Sequence, residues 1–189
     1  YLLKLNETIN TVIEVDIPSI FPIEYDSINN LKKLVRLVCE SHPYTPNIKE
    51  LLGKMDMGDN YKGLYRFLDY LHKAKIFSIL RAEAKGDAIF TKPEKIYLNN
   101  TNLHSAYCET HNIGTLREVF VNSMLQTQHK LSIPKKGDLL VDGKYLFEIG
   151  GKSKTYKQIK NIENSYVISD DIEIGSGNKI PLWLFGFLY

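Results

Sequence analysis

Apolar residues recur at helical spacing through the first eighty positions. Leu2, Leu3, Leu5, Ile9, Val12 and Ile13 form one amphipathic run, which predicts a helix over residues 1–15. Asp16-Ile17-Pro18 is expected to stop it, because the residue before a proline is biased away from helical geometry. Pro18 and Pro22 then bracket a short linker. Leu31, Leu34, Val35 and Val38 stand at i, i+3, i+4 and i+7, so a second helix is expected, capped by Asp26 or Ser27 and running to about Glu40. His42-Pro43 ends it. A short helix over residues 45–54 follows, with Pro46 in its first turn. A further helix covers 59–73, with Asp59 as cap and Leu64, Phe67, Leu68 and Leu71 as its buried stripe. Residues 76–80 and 88–91 are two strand-like runs separated by 82–87, which includes Gly86, and this predicts a hairpin.

Three helices followed by a hairpin is the order of a winged helix-turn-helix. The second half has a different rhythm. Ile113, Leu116, Phe120 and Met124 mark a helix after which residues 138–141 and 144–149 are strands about Asp142-Gly143, a dipeptide favoured in two-residue hairpin turns. A helix over 155–161 and a strand over 166–169 follow. Residues 181–189 are almost wholly apolar and are expected to be a strand buried on both faces, with Trp183 in the core. This order suits an α/β sandwich with a mixed sheet.

Composition changes this picture little. The chain has 189 residues, 43% of them hydrophobic, and a net charge of +2, so any nucleic-acid face must be a local patch and not a global excess. No apolar run is long enough for a membrane span, and the N-terminus does not resemble a signal peptide. Cys39 and Cys108, the only cysteines, give neither a disulfide framework nor a zinc site. They fit a reducing cytoplasm, with Cys39 as a small buried hydrophobe. The histidines have no trusted ligand spacing. Gly151-Lys152-Ser153 matches the end of a phosphate-binding loop, but Leu146 occupies the required first glycine position, so no nucleotide site is expected in this fragment.

Several strings in a fixed order are more specific: Tyr1-Leu2, Asp16-Ile17-Pro18, Ser41-His42-Pro43-Tyr44-Thr45-Pro46-Asn47, Lys92-Pro93-Glu94-Lys95-Ile96-Tyr97-Leu98-Asn99-Asn100, Gly137-Asp138-Leu139-Leu140-Val141, Phe147-Glu148-Ile149-Gly150-Gly151-Lys152 and Lys157-Gln158-Ile159. Together they resemble the C-terminal region of a large family of prokaryotic AAA-type ATPases. The resemblance implies that an ATPase module precedes Tyr1, and that residues 1–25 are the end of its helical lid plus a linker. Residues 26–98 would then be a winged-helix domain and 101–189 a PD-(D/E)XK nuclease-like α/β domain with a mixed sheet.

Nucleases of the PD-(D/E)XK type set one Asp on a strand and an Asp or Glu with a Lys on the next. The carboxylates hold a hard divalent cation, and the Lys positions the attacking water. Asp138 and Glu148 match the metal-holding carboxylates, Glu118 the upstream Glu and Gln158 the downstream Gln, with Mg²⁺ as the implied cofactor. The family position for the Lys, two residues after the second carboxylate, is Gly150. Lys152 is the candidate lysine, yet four residues of strand span about 13 Å, at about 3.3 Å each. Lys152 therefore needs Gly150-Gly151 to bend the chain back.

On the winged helix, Lys62, Arg66, Lys73, Lys75, Arg81 and Lys85 are candidate contacts to DNA, with Asn60 or Arg66 available to base edges. Tyr44, Tyr61, Tyr65 and Tyr70 are candidates for base stacking, against a core or rim role. Three functions remain open at this point. The leading one is a nucleic-acid-binding accessory region with a degenerate nuclease-like domain. The others are a Mg²⁺-dependent DNA endonuclease and a protein-docking region coupling the motor to a partner.

Overall fold

The computed structural model describes residues 1–40, 45–82, 92–109 and 111–188. It is a mixed α+β structure in two compact units: residues 1–79 with 95–111, and residues 80–94 with 112–189.

The first unit opens with α1 (Leu2–Thr11). Asp16-Ile17-Pro18 does not stop the helix. The chain passes through a π-helical turn, Val12–Asp16, in which the Ile17 N–H donates to the Val12 carbonyl, and continues as α2 (Ile17–Ile20) with Pro18 in its first turn. Proline has no N–H to lose at a helix start, and the wider turn accommodates the break in the ladder. Ile9, Ile13 and Ile17, four apart, form the buried face.

Next come α3 (Tyr25–Glu40), α4 (Ile48–Lys54) and α5 (Tyr61–Lys73). Each expected stripe on α3 and α5 is buried. The caps differ from expectation. Asp26 and Ser27 lie inside α3, and α5 is capped by Asn60, whose Oδ1 accepts from the Gly63 N–H at 2.9 Å, not by Asp59. Strand β1 (Phe77–Leu80) pairs with β2 (Lys95–Leu98). The run expected at 88–91 lies outside the described residues. A short α6 (Thr101–Tyr107), with no counterpart in the sequence reading, packs on α1 within the same unit, where the Asn6 amide donates to the Ala106 carbonyl at 3.2 Å.

The cysteines correct the sequence reading. Cys39, at the end of α3, and Cys108, just after α6, form a disulfide with Cα atoms 5.1 Å apart. Spacing in the chain gave no sign of it, because 69 residues separate them. Both are buried, as expected for Cys39.

In the second unit α7 (Ile113–Leu125) packs on a five-stranded sheet of β3 (Leu131–Ser132), β4 (Leu139–Val141), β5 (Tyr145–Gly150), β6 (Ser165–Ser169) and β7 (Lys179–Pro181), in that spatial order. The β3–β4 and β4–β5 pairs are antiparallel, whereas β5–β6 and β6–β7 are parallel, so the sheet is mixed. Asp142 and Gly143 have φ of 54° and 65°, the two positive values of a type I′ turn, but Val141 pairs with Tyr145, so the loop holds three residues, 142–144, and not the expected two.

Three local expectations fail here. Ile113 is exposed, and α7 instead buries Thr115, Val119, Val121, Asn122 and Leu125. The helix expected at 155–161 is a single 3₁₀ turn, Tyr156–Gln158. The C-terminal apolar run is not a buried strand: it becomes a 3₁₀ helix, Leu182–Phe187, that buries Phe185 and leaves Trp183 51% exposed. An apolar run without alternation does not distinguish strand from helix.

No described helix is long and apolar enough to cross a membrane.

Candidate active site

The hairpin brings the two expected carboxylates together. Leu139 faces Phe147 across β4 and β5, so one step further along the strands sets Asp138 against Glu148. Asp138 is held by its own backbone, which donates to the Phe147 carbonyl at 2.9 Å. Its side-chain Oδ2 accepts from the Ile149 N–H at 2.8 Å. Glu148 is fully buried at 0% exposure, in the strand where the sheet changes from antiparallel to parallel pairing.

A buried carboxylate without a partner is strongly unfavourable. The partner is a lysine, but not the expected one. Lys152 is exposed, and its carbonyl accepts from the Lys179 ammonium at 2.7 Å. The site lysine is Lys154, whose Nζ lies 2.6 Å from Glu148 Oε1 and 3.7 Å from Asp138 Oδ2. The contact to Oε1 has hydrogen-bond length but lies outside the hydrogen-bond angular range, so it is chiefly ionic. Glu148 Oε2 has no hydrogen-bond partner among the described residues.

Two features of the chain fold Lys154 back. The Lys154 N–H donates to the Gly151 carbonyl at 2.9 Å, closing a tight turn directly after β5. Gly150 supplies the room. A Cβ at that position would lie 2.6 Å from Lys154 Cδ, 2.8 Å from Cγ and 2.9 Å from Cβ, so the lysine stem occupies the space where a side chain at 150 would stand. Gly150 is thus what allows a lysine four residues later to reach the carboxylates.

Groups around the turn hold its shape. Ser169 Oγ donates to the Gly151 carbonyl at 3.0 Å, and the Asp170 N–H donates to the Gly150 carbonyl at 2.8 Å. Arg117 of α7 donates from Nε to Asp170 Oδ2 at 2.9 Å, and its guanidinium stands where a Cβ on Gly151 would meet it at 3.2 Å. The hydrogen bond from Arg117 lowers the Asp170 pKa.

The electrostatics define what Lys154 can do. Burial pulls its pKa down, but the close contact with Glu148 and the charges of Asp138, Glu148 and Glu118 outweigh burial, and the net direction is up. Lys154 is therefore a fixed ammonium, a donor and positive charge, not a proton acceptor at neutral pH. Glu118, half-buried on α7, is close enough to take part in that balance. Gln158 lines the same open cleft of about 430 Å³ with Glu148, Ser153, Lys154, Thr155 and Lys157.

Comparison with family models, with curated proteins and with solved structures found no match to this chain.

The donor set fits a hard divalent cation. Asp138 and Glu148 offer carboxylate oxygens side by side, and Glu148 Oε2 is buried and unused. Among the described residues no three His, Cys, Asp or Glu side chains gather into a ready cage. Two carboxylates suit Mg²⁺, which completes its shell with water and substrate phosphates instead of a dedicated protein cage.

The basic residues named for DNA are scattered. Lys62 and Arg66 are exposed on α5. Lys73 is exposed and paired with Asp69 at 2.7 Å. Lys75 is exposed at a positive φ of 59°, just past the helix. Arg81 is half-buried and belongs to the second unit, and Lys85 lies outside the described residues. Asn60 is committed to its cap. Tyr70 stacks on Phe21 with centroids 4.2 Å apart, whereas Tyr61 is exposed; Tyr44 lies outside the described residues.

Sequence reasoning missed Lys154, Gly150's role as its bed, and the Arg117–Asp170 pair. A signal for the first was present: two glycines ending a strand make a turn there, and a turn brings back the residue three positions after its first member.

Proposed function

We propose that the chain is a nucleic-acid-processing region whose second unit hydrolyses phosphodiesters with a divalent cation. On this reading the unit is a PD-(D/E)XK-like α/β domain, with α3, α4, α5 and the β1–β2 pair as a winged helix that holds DNA. In the parent protein the region follows an ATPase module, as the sequence resemblance implies.

The observation that carries the reading is the Lys154 ammonium, 2.6 Å from Glu148 Oε1 and 3.7 Å from Asp138 Oδ2, beside a cleft that Lys154 and Glu148 line. It favours an endonuclease over the inert accessory domain, because the displaced lysine has a replacement. Bound between Asp138 and Glu148, the cation would stabilise charge on the phosphate and acidify an attacking water. The chain's own groups do the rest. Asp138 is oriented by the Ile149 N–H and Glu148 by its burial in β5. Lys154, as an ammonium, donates to a non-bridging phosphate oxygen and offsets the charge that grows there. Gln158, Ser153 and Thr155 line the approach as neutral hydrogen-bonding groups, and Lys157 adds a positive charge for the flanking phosphate.

Cleavage of plasmid DNA by the full chain in Mn²⁺ or Mg²⁺ tests this. Nicking is expected, with loss in Asp138→Ala and in Lys154→Met and retention in Lys152→Met. Wild-type protein that leaves DNA intact, or nicking that survives Asp138→Ala, refutes it.

A docking role has one observation of its own. Trp183, Leu184, Phe187 and Leu188 are all exposed at the C-terminus, as apolar residues at an interface are before a partner covers them.

A further inference from the structure

We infer that the Lys154 ammonium is a tethered occupant of the cation position, so that the metal enters together with a phosphodiester and only weakly without one. This rests on reading Asp138 and Glu148 as cation ligands.

The assignment of oxygens carries the argument. Asp138 Oδ2 accepts the Ile149 N–H at 2.8 Å and faces Lys154 Nζ at 3.7 Å. Glu148 Oε1 holds the ammonium at 2.6 Å, and the buried Oε2 has no hydrogen-bond partner among the described residues. A divalent cation bound to these carboxylates sits about 2.1 Å from its oxygens, which puts it within a few ångström of the ammonium. The two positive charges compete for the same oxygens and repel each other strongly in a partly buried site. The ammonium already neutralises one of the two carboxylate charges.

Lys154 does not leave freely. Its stem lies in the space above Gly150, and its N–H closes the turn onto the Gly151 carbonyl. What releases it is an alternative anion near the cleft. A phosphodiester supplies that anion for the ammonium and, with its other oxygen, a donor for the metal. One ligand therefore removes the competitor and completes the coordination. The apo site stays neutralised, and the metal is retained when substrate is present.

Direct Mn²⁺ titration of the full chain, reading free Mn²⁺ by electron paramagnetic resonance, tests this without any cleavage. Lys154→Met should bind Mn²⁺ about tenfold or more tightly than wild type, the effect of deleting one nearby positive charge. Gly150→Ala, which crowds the lysine out of its bed, should move affinity in the same direction. Dimethyl phosphate should tighten Mn²⁺ binding to wild type and not to Lys154→Met. Circular dichroism checks folding, and if Lys154→Met does not fold, Gly150→Ala decides. Affinity that is equal or weaker in the folded variants, including no binding at all, overturns the inference. Failure of dimethyl phosphate to tighten wild-type binding overturns the coupling. Tighter binding in the variants without DNA cleavage by wild type leaves this inference standing and removes the hydrolase reading. Cleavage by wild type with unchanged Mn²⁺ affinity does the reverse.

Discussion

Gly150→Ala adds one methyl group, and the geometry says where it goes. The new carbon would stand 2.6 Å from Lys154 Cδ, with Cγ and Cβ at 2.8 and 2.9 Å. Comfortable carbon contacts begin near about 3.5 Å, so the stem must retreat by about 1 Å. The colliding atoms are the root and middle of the side chain, so rotation of its tip does not relieve the clash. Retreat takes the ammonium out of contact with Glu148 Oε1, now at 2.6 Å, and leaves a fully buried carboxylate uncompensated. Breaking a buried pair in this way costs about 3–5 kcal/mol, and partial retreat sets the lower part of that range. Positioning losses of about 1 Å lower turnover by about a hundredfold. Urea denaturation gives the first number and plasmid nicking the second. Gly151→Ala is the control: its Cβ meets only the Arg117 guanidinium, at 3.2 Å, the far end of a flexible side chain. Its loss should be smaller in both assays. A Gly150→Ala protein with wild-type stability and nicking, or one no worse than Gly151→Ala, would show that Lys154 does not depend on that space.

Other outcomes follow from separate features. Reduction of Cys39–Cys108, or Cys39→Ser with Cys108→Ser, should lower stability by about 4 kcal/mol in the chain-entropy limit for a loop of this length, read from urea midpoints with and without dithiothreitol. Asp170 has its folded pKa lowered below the usual 3.8 by the Arg117 hydrogen bond. Its contribution is therefore present above that usual value and lost as pH falls through the lower folded one. Asp170→Asn should accordingly be less stable than wild type at neutral pH, and the difference should shrink on the acid limb of a pH–stability profile. Lys62→Glu with Arg66→Glu should weaken DNA binding and flatten its salt dependence by about two units of slope, measured by fluorescence anisotropy; affinity indifferent to both would remove α5 from the DNA interface.

The legible parts of the molecule were those set by local chemistry. Asp142-Gly143 announces its turn because few residues tolerate two positive φ values in succession. Counting from a two-residue turn would set Asp138 against Phe147; the loop holds one residue more, Val141 pairs with Tyr145, and Asp138 therefore stands against Glu148. The stripes of α3 and α5 were legible because a 3.6-residue period has one solution. Pro18 misled because a π-turn let the helix pass it. Residues 181–189 misled because uniform apolarity carries no period. The buried face of α7 was hidden by its two polar members, Thr115 and Asn122. Lys154 was hidden for a different reason: a strand has a fixed rise, so distance along it rules out Lys152, but a turn has no such ruler, and only the empty space over Gly150 shows how the chain comes back.

Glu148 has a consequence for the molecule as a whole. A fully buried carboxylate on an interior strand, held by a half-buried ammonium, costs desolvation that a pair of well-packed apolar side chains would not. Leu at 148 with Met at 154 would keep roughly the volume, relieve the unpartnered Oε2, and give a sheet as firm as the native one or firmer. The native residues thus hold the second unit below the stability its own fold can reach, at the site proposed for catalysis, the exchange of robustness for work that this proposal entails.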